Sequence, residues 1–361
     1  MRTAEFDLAV HCCRRAFDPG FSASSNLEDI DWQAFYRLIR FHRVQGLVWK
    51  SLPRLGGNVP PEIARSIAED AARISTSNRE SLAECRELAD TLRRNGIDFL
   101  FLKGLPLGAL AYGTPWLKAA VDVDLLIEEA QLDDVVTALR SCGFEREDGR
   151  SEDIDALRAW HRYRKDSEWW KPGTPARIDL HTRLTDNRAL IAAVGIGSPR
   201  QSVGITPDCQ LPTLADEELF AHLCVHGASS AWFRLKWITD LAALLHPKPA
   251  EEIARLYDRS QALGAGRAAG QALLLADACY GTLAAIPDLR HALAADGRTR
   301  WLYHIAMRQL AGRREPVEPT ARTGGTAAIH LSQFFLLGGP AFKASELVRQ
   351  ARAALASKLS G

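Results

Sequence analysis

The chain has 361 residues, a formal net charge of +1, 47% hydrophobic residues and 25% charged residues. That length exceeds one typical domain and implies two or three modules of ordinary globular composition. Near-neutrality excludes a global field for nucleic acid or anionic membrane, no apolar stretch is long enough to span a bilayer, and Met1-Arg2-Thr3-Ala4-Glu5-Phe6-Asp7 lacks the apolar core of a signal peptide.

The seven cysteines are scattered, odd in number and without CxxC spacing, so they read as reduced thiols in a cytoplasm. Residues 1–95 form a helical N-terminal region. Apolar spacing predicts one helix from about Ala4 to Phe17 and another from Leu27 through Trp32 to Trp49. Pro60-Pro61 opens a third, with Ile63, Ile67 and Ala71 on one face. A further helix aligns Leu82, Cys85, Leu88, Ala89 and Leu92 and stops at Gly96, a left-handed cap.

Residues 96–210 change character. Ile97 to Leu102 predicts a buried strand ended by Lys103-Gly104, followed by a short helix from about Leu105 to Tyr112 and a turn at Gly113-Thr114-Pro115. Next comes Val121-Asp122-Val123-Asp124-Leu125-Leu126-Ile127, a β-branched run carrying two carboxylates. Leu132, Val135, Val136, Leu139 and Cys142 mark an amphipathic helix ended by Gly143. Two strands then make a hairpin about Lys171-Pro172-Gly173-Thr174-Pro175, the second arm being Ala176 to His181. The order β-α-β-α-β-β gives a small mixed sheet with helices on one side. Residues 211–361 return to helices, with stripes at Leu219, Phe220, Leu223 and Cys224 and at Trp237, Ile238, Leu241 and Leu244; loops are expected near Pro287 and around Gly312 to Gly325. The fold class is α+β, a small mixed sheet flanked by N-terminal and C-terminal helical regions.

A strand points alternate side chains to opposite faces, so Asp122 and Asp124 emerge together while Val121, Val123, Leu125 and Ile127 face a core. Two adjacent negative charges on a half-buried strand are unfavourable unless a cation joins them. Oxygen ligation of this kind suits Mg²⁺ or Mn²⁺, which complete their shells with water and substrate phosphates. Asp179, also between apolar neighbours, adds a third carboxylate. Three converging carboxylates are what two-metal phosphoryl transfer needs, one ion for the triphosphate and one to activate an attacking hydroxyl. The bland alternative makes these aspartates turn caps and surface ion-pair partners.

Lys103-Gly104 delivers a strand to a helix start, where glycine lets backbone N–H groups approach phosphate oxygens and the lysine adds a point charge. An ordinary corner with a solvated lysine has the same letters. Lys118, four residues before Asp122, either neutralises phosphate, pairs with an aspartate or is solvated. His181 shares a strand face with Asp179 and either touches phosphate or orients the carboxylate. Trp160 to Lys165 and Trp169-Trp170-Lys171 mix cations with aromatics; this fits base stacking or RNA, but neutrality favours a strand with one packed face. His226 reads as a packing histidine.

In order, Phe101-Leu102-Lys103-Gly104, Lys118 to Ile127 with its Asp122-x-Asp124 centre, Ile178-Asp179-Leu180-His181, His226-Gly227 and Leu235-Lys236-Trp237-Ile238-Thr239-Asp240 resemble the uncharacterised nucleotidyltransferase family of the polymerase-β superfamily. The leader Phe41-His42-Arg43-Val44-Gln45-Gly46-Leu47-Val48 is similar too, so the resemblance spans roughly residues 30–250. Two departures stand out: Lys118 replaces the family's usual arginine, and Leu105 stands where the wider superfamily has a serine after glycine.

The resemblance implies a nucleotidyltransferase core at 96–210 between helical regions at 1–95 and 211–361. It implies a metal-dependent enzyme that moves an NMP from an NTP to an acceptor hydroxyl and releases pyrophosphate. Asp122, Asp124 and Asp179 would bind Mg²⁺ or Mn²⁺ and carry catalysis, and Lys103, Gly104, Lys118 and His181 would hold the nucleotide. ATP is the first choice of NTP, and the acceptor is a small molecule, peptide or protein in preference to a long nucleic acid. The rivals are a kinase-like phosphotransferase on the same metals and a non-catalytic nucleotide-sensing or protein-binding module.

Overall fold

The computed structural model describes residues 2–22, 27–120, 122–147, 153–311, 317–321 and 324–359. Val121, expected to face the core, lies outside them, as does much of the expected Gly312 to Gly325 loop. The chain divides into two compact units, one of Met1–Asp70, Asn187–Ile191 and Phe220–Gly361, the other of Ala71–Asp186 and Ala192–Leu219.

The first unit is helical. Helix α1 (Ala4–Phe17) starts where the Thr3 hydroxyl accepts the Phe6 N–H at 3.2 Å, and it buries Phe6, Leu8, Ala9, Cys12 and Cys13. The single helix expected from Leu27 to Trp49 is instead two, α2 (Trp32–His42) and α3 (Gln45–Ser51). Arg43 takes a left-handed φ of 56°, and the Val44 N–H closes back on the Ile39 carbonyl at 3.1 Å. Such an end satisfies carbonyls that the helix would otherwise leave open.

Helix α4 (Pro61–Arg94) contradicts another expectation, because the helix read through Ala71 and the one read from Leu82 are one helix of 34 residues. No glycine or proline lies inside it, so the polar stretch Ser75-Thr76-Ser77-Asn78 does not break the ladder.

The second unit carries the sheet. Its elements are β1 (Phe99–Phe101), α5 (Gly104–Tyr112), β2 (Val123–Ile127), α6 (Leu132–Ser141), β3 (Glu145–Arg146), α7 (Ile154–Tyr163), β4 (Asp166–Trp170), β5 (Arg177–His181), β6 (Arg200–Thr206) and β7 (Cys209–Leu214). Strand order is β1-β2-β5-β4-β3, with β2 and β5 parallel and the other neighbours antiparallel; β6 and β7 form a separate hairpin. The expected hairpin of β4 and β5 is present. The strand reading of Trp160 to Tyr163 is not: Asp153 accepts the Ala156 N–H and starts α7, whose last turn those residues form. A cap outweighs the aromatic composition there. Strand β3 and the β6–β7 hairpin carry no strong alternation and add to the elements that the sequence predicts.

Phe99, Phe101, Leu125, Ile127, Trp169, Ile178 and Leu180 lie in one core with Leu82, Leu88 and Leu92 of α4 and Val135 and Leu139 of α6. Truncating one of these to alanine, Leu180→Ala for instance, removes about 2–5 kcal/mol. The carboxylates alternate with these residues and therefore emerge on the opposite face.

Helices α8 (Asp216–Ser229), α9 (Leu235–Leu245), α10 (Ala250–Ala262), α11 (Arg267–Tyr280), α12 (Pro287–Ala295), α13 (Gly297–Ala311), α14 (Ala327–Gln333) and α15 (Pro340–Leu359) complete the chain. Among the described residues no helix is long and apolar enough to cross a membrane. All seven cysteines are free thiols, and burial pushes Cys12 and Cys85 up to about 12.

Candidate active site

Strands β2 and β5 run parallel with Val123 opposite Ile178 and Asp124 opposite Asp179. Neighbouring strands lie about 4.8 Å apart, so this register sets two carboxylates side by side. On the far side of β5, Glu168 of β4 lies opposite Asp179, and the Glu147 N–H then meets the Glu168 carbonyl at 3.0 Å. One row of acids, Asp124, Asp179, Glu168 and Glu147, therefore crosses the sheet. At its outer end the Glu147–Glu168 hydrogen bond, helped by burial, pushes the Glu168 carboxyl up to about 7 and holds Glu147 below its usual range. Arg177 pairs with Glu147 at 3.1 Å.

The inner end is more deeply enclosed. Asp124 is 3% exposed, and its Oδ1 accepts Lys103 Nζ at 2.9 Å and His181 Nε2 at 3.0 Å. Burial opposes the Asp124 charge, but Lys103 and the His181 hydrogen bond outweigh it and hold the carboxyl well below its usual range. Burial and Lys165 hold His181 low, so its ring is neutral at neutral pH. A neutral ring that donates from Nε2 presents a bare lone pair at Nδ1. That Nδ1 is buried and has no hydrogen-bond partner among the described residues.

Asp179 behaves oppositely to Asp124. Burial, then Asp122, Asp124 and Asp166, push its carboxyl up to about 8. Lys103 is held above its usual value because Asp124, Asp122 and Asp179 outweigh its burial. Donor atoms of Asp124, Asp179 and His181 lie within 4.8 Å of one another. Clustered carboxylate oxygens beside an imidazole, with Lys103 and Lys165 offsetting only part of the negative charge, are a donor set that fits a divalent cation.

The corner that carries Lys103 is fixed by backbone. The Leu102 N–H donates to the Asp124 carbonyl at 3.0 Å, and Gly104 takes φ +62° as α5 begins. A Cβ at Gly104 would clear its neighbours, the nearest being the Asp122 carbonyl oxygen at 3.6 Å, so the left-handed φ is what calls for glycine. Pro106 has no N–H, leaving Gly104, Leu105 and Leu107 as the first-turn donors.

The chain matches the uncharacterised nucleotidyltransferase family over residues 28–281. It belongs to that family. A comparison with curated proteins returned no match.

Of the residues read from the sequence of this family member, Lys103, Asp124, Asp179 and His181 come together directly. His181 contacts Asp124, where the pattern left open a contact with Asp179. Asp122 precedes β2 and acts through its charge on Lys103 and Asp179. Lys118 is buried, not solvated, and its carbonyl accepts the Asn78 side-chain N–H at 2.9 Å. Asn78 also donates to the Pro115 carbonyl at 2.8 Å, so it ties α4 to the loop leading into β2. Its sequence signal is a polar residue on the α4 stripe that runs Ile67, Ala71, Ile74, Asn78, Leu82.

Three further site neighbours carry no comparable pattern. His161 is fully buried and bridges the hydroxyls of Thr182 at 3.1 Å and Ser167 at 3.0 Å, which locks α7 to β4 and to the residue after β5. Lys165 pairs with Asp166, and Asp166 sits in register with His181. These residues brace the strand that carries Asp179.

The His226-Gly227 signature lies in the first unit and has a packing role. The Trp232 ring sits over Gly227, where a Cβ would come within 2.5 Å, and the Trp232 N–H donates to the Gly227 carbonyl at 2.9 Å. His226 meets Trp237 edge-on at 5.5 Å. In the leader segment the His42 Nδ1 accepts the Leu235 N–H at 3.1 Å, so that segment anchors the start of α9.

Proposed function

We propose that this protein transfers a nucleoside monophosphate from an NTP to an acceptor hydroxyl and releases pyrophosphate. The observation that carries the reading is the register of β2 and β5, which sets Asp124 beside Asp179 with His181 and Lys103 on the same group. Membership of a nucleotidyltransferase family supports the same chemistry.

Asp122, Asp124 and Asp179 would hold Mg²⁺ or Mn²⁺, with the His181 imidazole beside them. Bound there, such ions supply charge neutralisation on the triphosphate and a lower pKa for the attacking hydroxyl. The chain's own groups do the rest. Lys103 and the first N–H groups of α5, beginning at Gly104, bind the β- and γ-phosphates, and Lys118 adds positive charge. His181 orients Asp124 through its Nε2–H. Asp179, in register beside Asp124, would lose its own proton on binding a cation and, as a carboxylate, take up the proton of the acceptor hydroxyl as its oxygen attacks the α-phosphorus. Pyrophosphate is the leaving group. ATP is the first NTP to test, and a small molecule, a peptide or a protein side chain is the acceptor class that a nearly neutral chain suits.

Calorimetric titration of each NTP with Mg²⁺ or Mn²⁺ into wild type and Asp124→Asn is the first test, followed by incubation with α- and γ-labelled nucleotide. Metal-dependent binding that disappears in the variant, with label moving from the α position, is expected. Binding that ignores both the metal and Asp124 overturns the reading. Movement of the γ label would make the protein a phosphotransferase.

A further inference from the structure

Lys103 is in direct contact with Asp124, and its placement has a consequence for how the site fills. Its Nζ lies 2.9 Å from Asp124 Oδ1, and the same oxygen receives the His181 Nε2–H at 3.0 Å. The Lys103 side chain is 16% exposed and that of Asp124 is 3% exposed, so little water screens the contact. A metal ligated by that oxygen would sit about 2.1 Å from it, close against the ammonium. Two like charges at such range in a poorly hydrated site repel strongly.

The anchor of Lys103 does not move easily. Leu102 is hydrogen-bonded to the Asp124 carbonyl, and Gly104 is committed to a left-handed φ at the start of α5. The ammonium, however, sits on a flexible four-carbon stem and acts as a point charge. It can leave Asp124 without rearranging the sheet, provided another anion receives it.

We infer that Lys103 is a resident counter-ion that couples the two ligands of this site: a divalent cation enters well only when a nucleotide triphosphate draws the ammonium off Asp124. This rests on the nucleotidyltransferase reading above. Metal alone meets an Asp124 oxygen already paired with Lys103. Nucleotide alone gains Lys103 but strands the Asp124 charge. Together each ligand removes the other's obstacle, and thermodynamic linkage requires the enhancement to be equal in both directions. Lys103 therefore positions charge and guards Asp124 against metal that arrives without nucleotide.

The test is Mn²⁺ binding followed by electron paramagnetic resonance, with and without an ATP analogue bridged by methylene between the α- and β-phosphates. Wild type is expected to bind Mn²⁺ weakly alone and on the order of tenfold or more tighter with the analogue. Lys103→Met is expected to bind Mn²⁺ alone on the order of tenfold tighter than wild type, while the analogue enhances it little. A lysine with a merely structural role predicts the opposite, a loss of Mn²⁺ affinity on substitution. Lys103→Gln, which keeps a donor without the charge, repeats the measurement should the methionine variant fail to fold. Unchanged or weaker metal-only affinity in a folded variant, with analogue binding intact in wild type, overturns the role of Lys103 alone. Wild type that takes Mn²⁺ but never the analogue overturns the nucleotidyltransferase reading, and the coupling with it.

Discussion

Replacing Asp179 with asparagine should stabilise the metal-free protein, and more so as pH rises. Asp179 is half-buried beside Asp122 and Asp124, and its carboxyl is pushed up from 3.8 to about 8. Between those values the folded chain holds a proton that the unfolded chain has released. The unfolded state binds fewer protons, so stability falls as pH rises through the window and levels off above about 8. At about 1.36 kcal/mol per pH unit the ceiling is roughly 5 to 6 kcal/mol. Partial exposure and an effective dielectric near 20 reduce this to about 2 kcal/mol. The asparagine side chain keeps the shape and never ionises. Urea unfolding of both proteins in chelator at about pH 5 and about pH 9 measures the effect, since the advantage of Asp179→Asn should grow by about 2 kcal/mol between them. Adding Mn²⁺ with nucleotide at the higher pH should cancel the advantage by stabilising only wild type. A pH-independent difference, or one of opposite sign, would refute the argument that like charge and burial dominate at Asp179.

Asp124→Asn should act the other way, leaving the Lys103 ammonium buried without its carboxylate; a loss of about 3 kcal/mol in denaturant unfolding is expected, with no metal-dependent NTP binding by calorimetry. Gly104→Ala forces a side chain into φ +62°, which costs about 1 kcal/mol, and should weaken nucleotide affinity several-fold in the same titration. His161 is held down to about 4 by burial and by Arg183, so its contribution is present above about 6.5 and is lost as pH falls toward 4. His161→Phe leaves the Ser167 and Thr182 hydroxyls without the ring, and should cost about 2 kcal/mol at pH 7 while flattening acid unfolding between those values.

Local signals are the legible ones. The bounds of α1, the Gly96 turn, the Lys103-Gly104 corner and the acid-bearing strands all follow from periodicity and from single residues with one conformational reading. What escapes is set by partners distant in sequence. Nothing in Asp124 or Asp179 announces that they lie in register, because β2 and β5 meet through hydrogen bonds that any residue makes. The extension of the acid row to Glu168 and Glu147 depends on that same register, carried onward by β4. The two-helix reading of α4 fails because the polar stretch before Leu82 resembles a loop, yet it contains no residue that ends a helix. Trp160 to Tyr163 resemble a strand by composition and become helix through the Asp153 cap upstream. His181 is legible as a site residue, but its choice of Asp124 over Asp179 is a matter of side-chain direction across two strands.

The parallel pairing of β2 with β5 also bears on how the molecule comes to exist. The β4–β5 hairpin can close through contacts between near neighbours in the chain, whereas Val123 meets Ile178 only after everything between them has been gathered in. Closing so long a loop costs entropy before any contact rewards it, a cost the β4–β5 hairpin does not bear. That pairing is what brings Asp124 and Asp179 together. The seam of this sheet that gathers the acids is thus also its most non-local strand junction, joining segments about fifty residues apart in sequence.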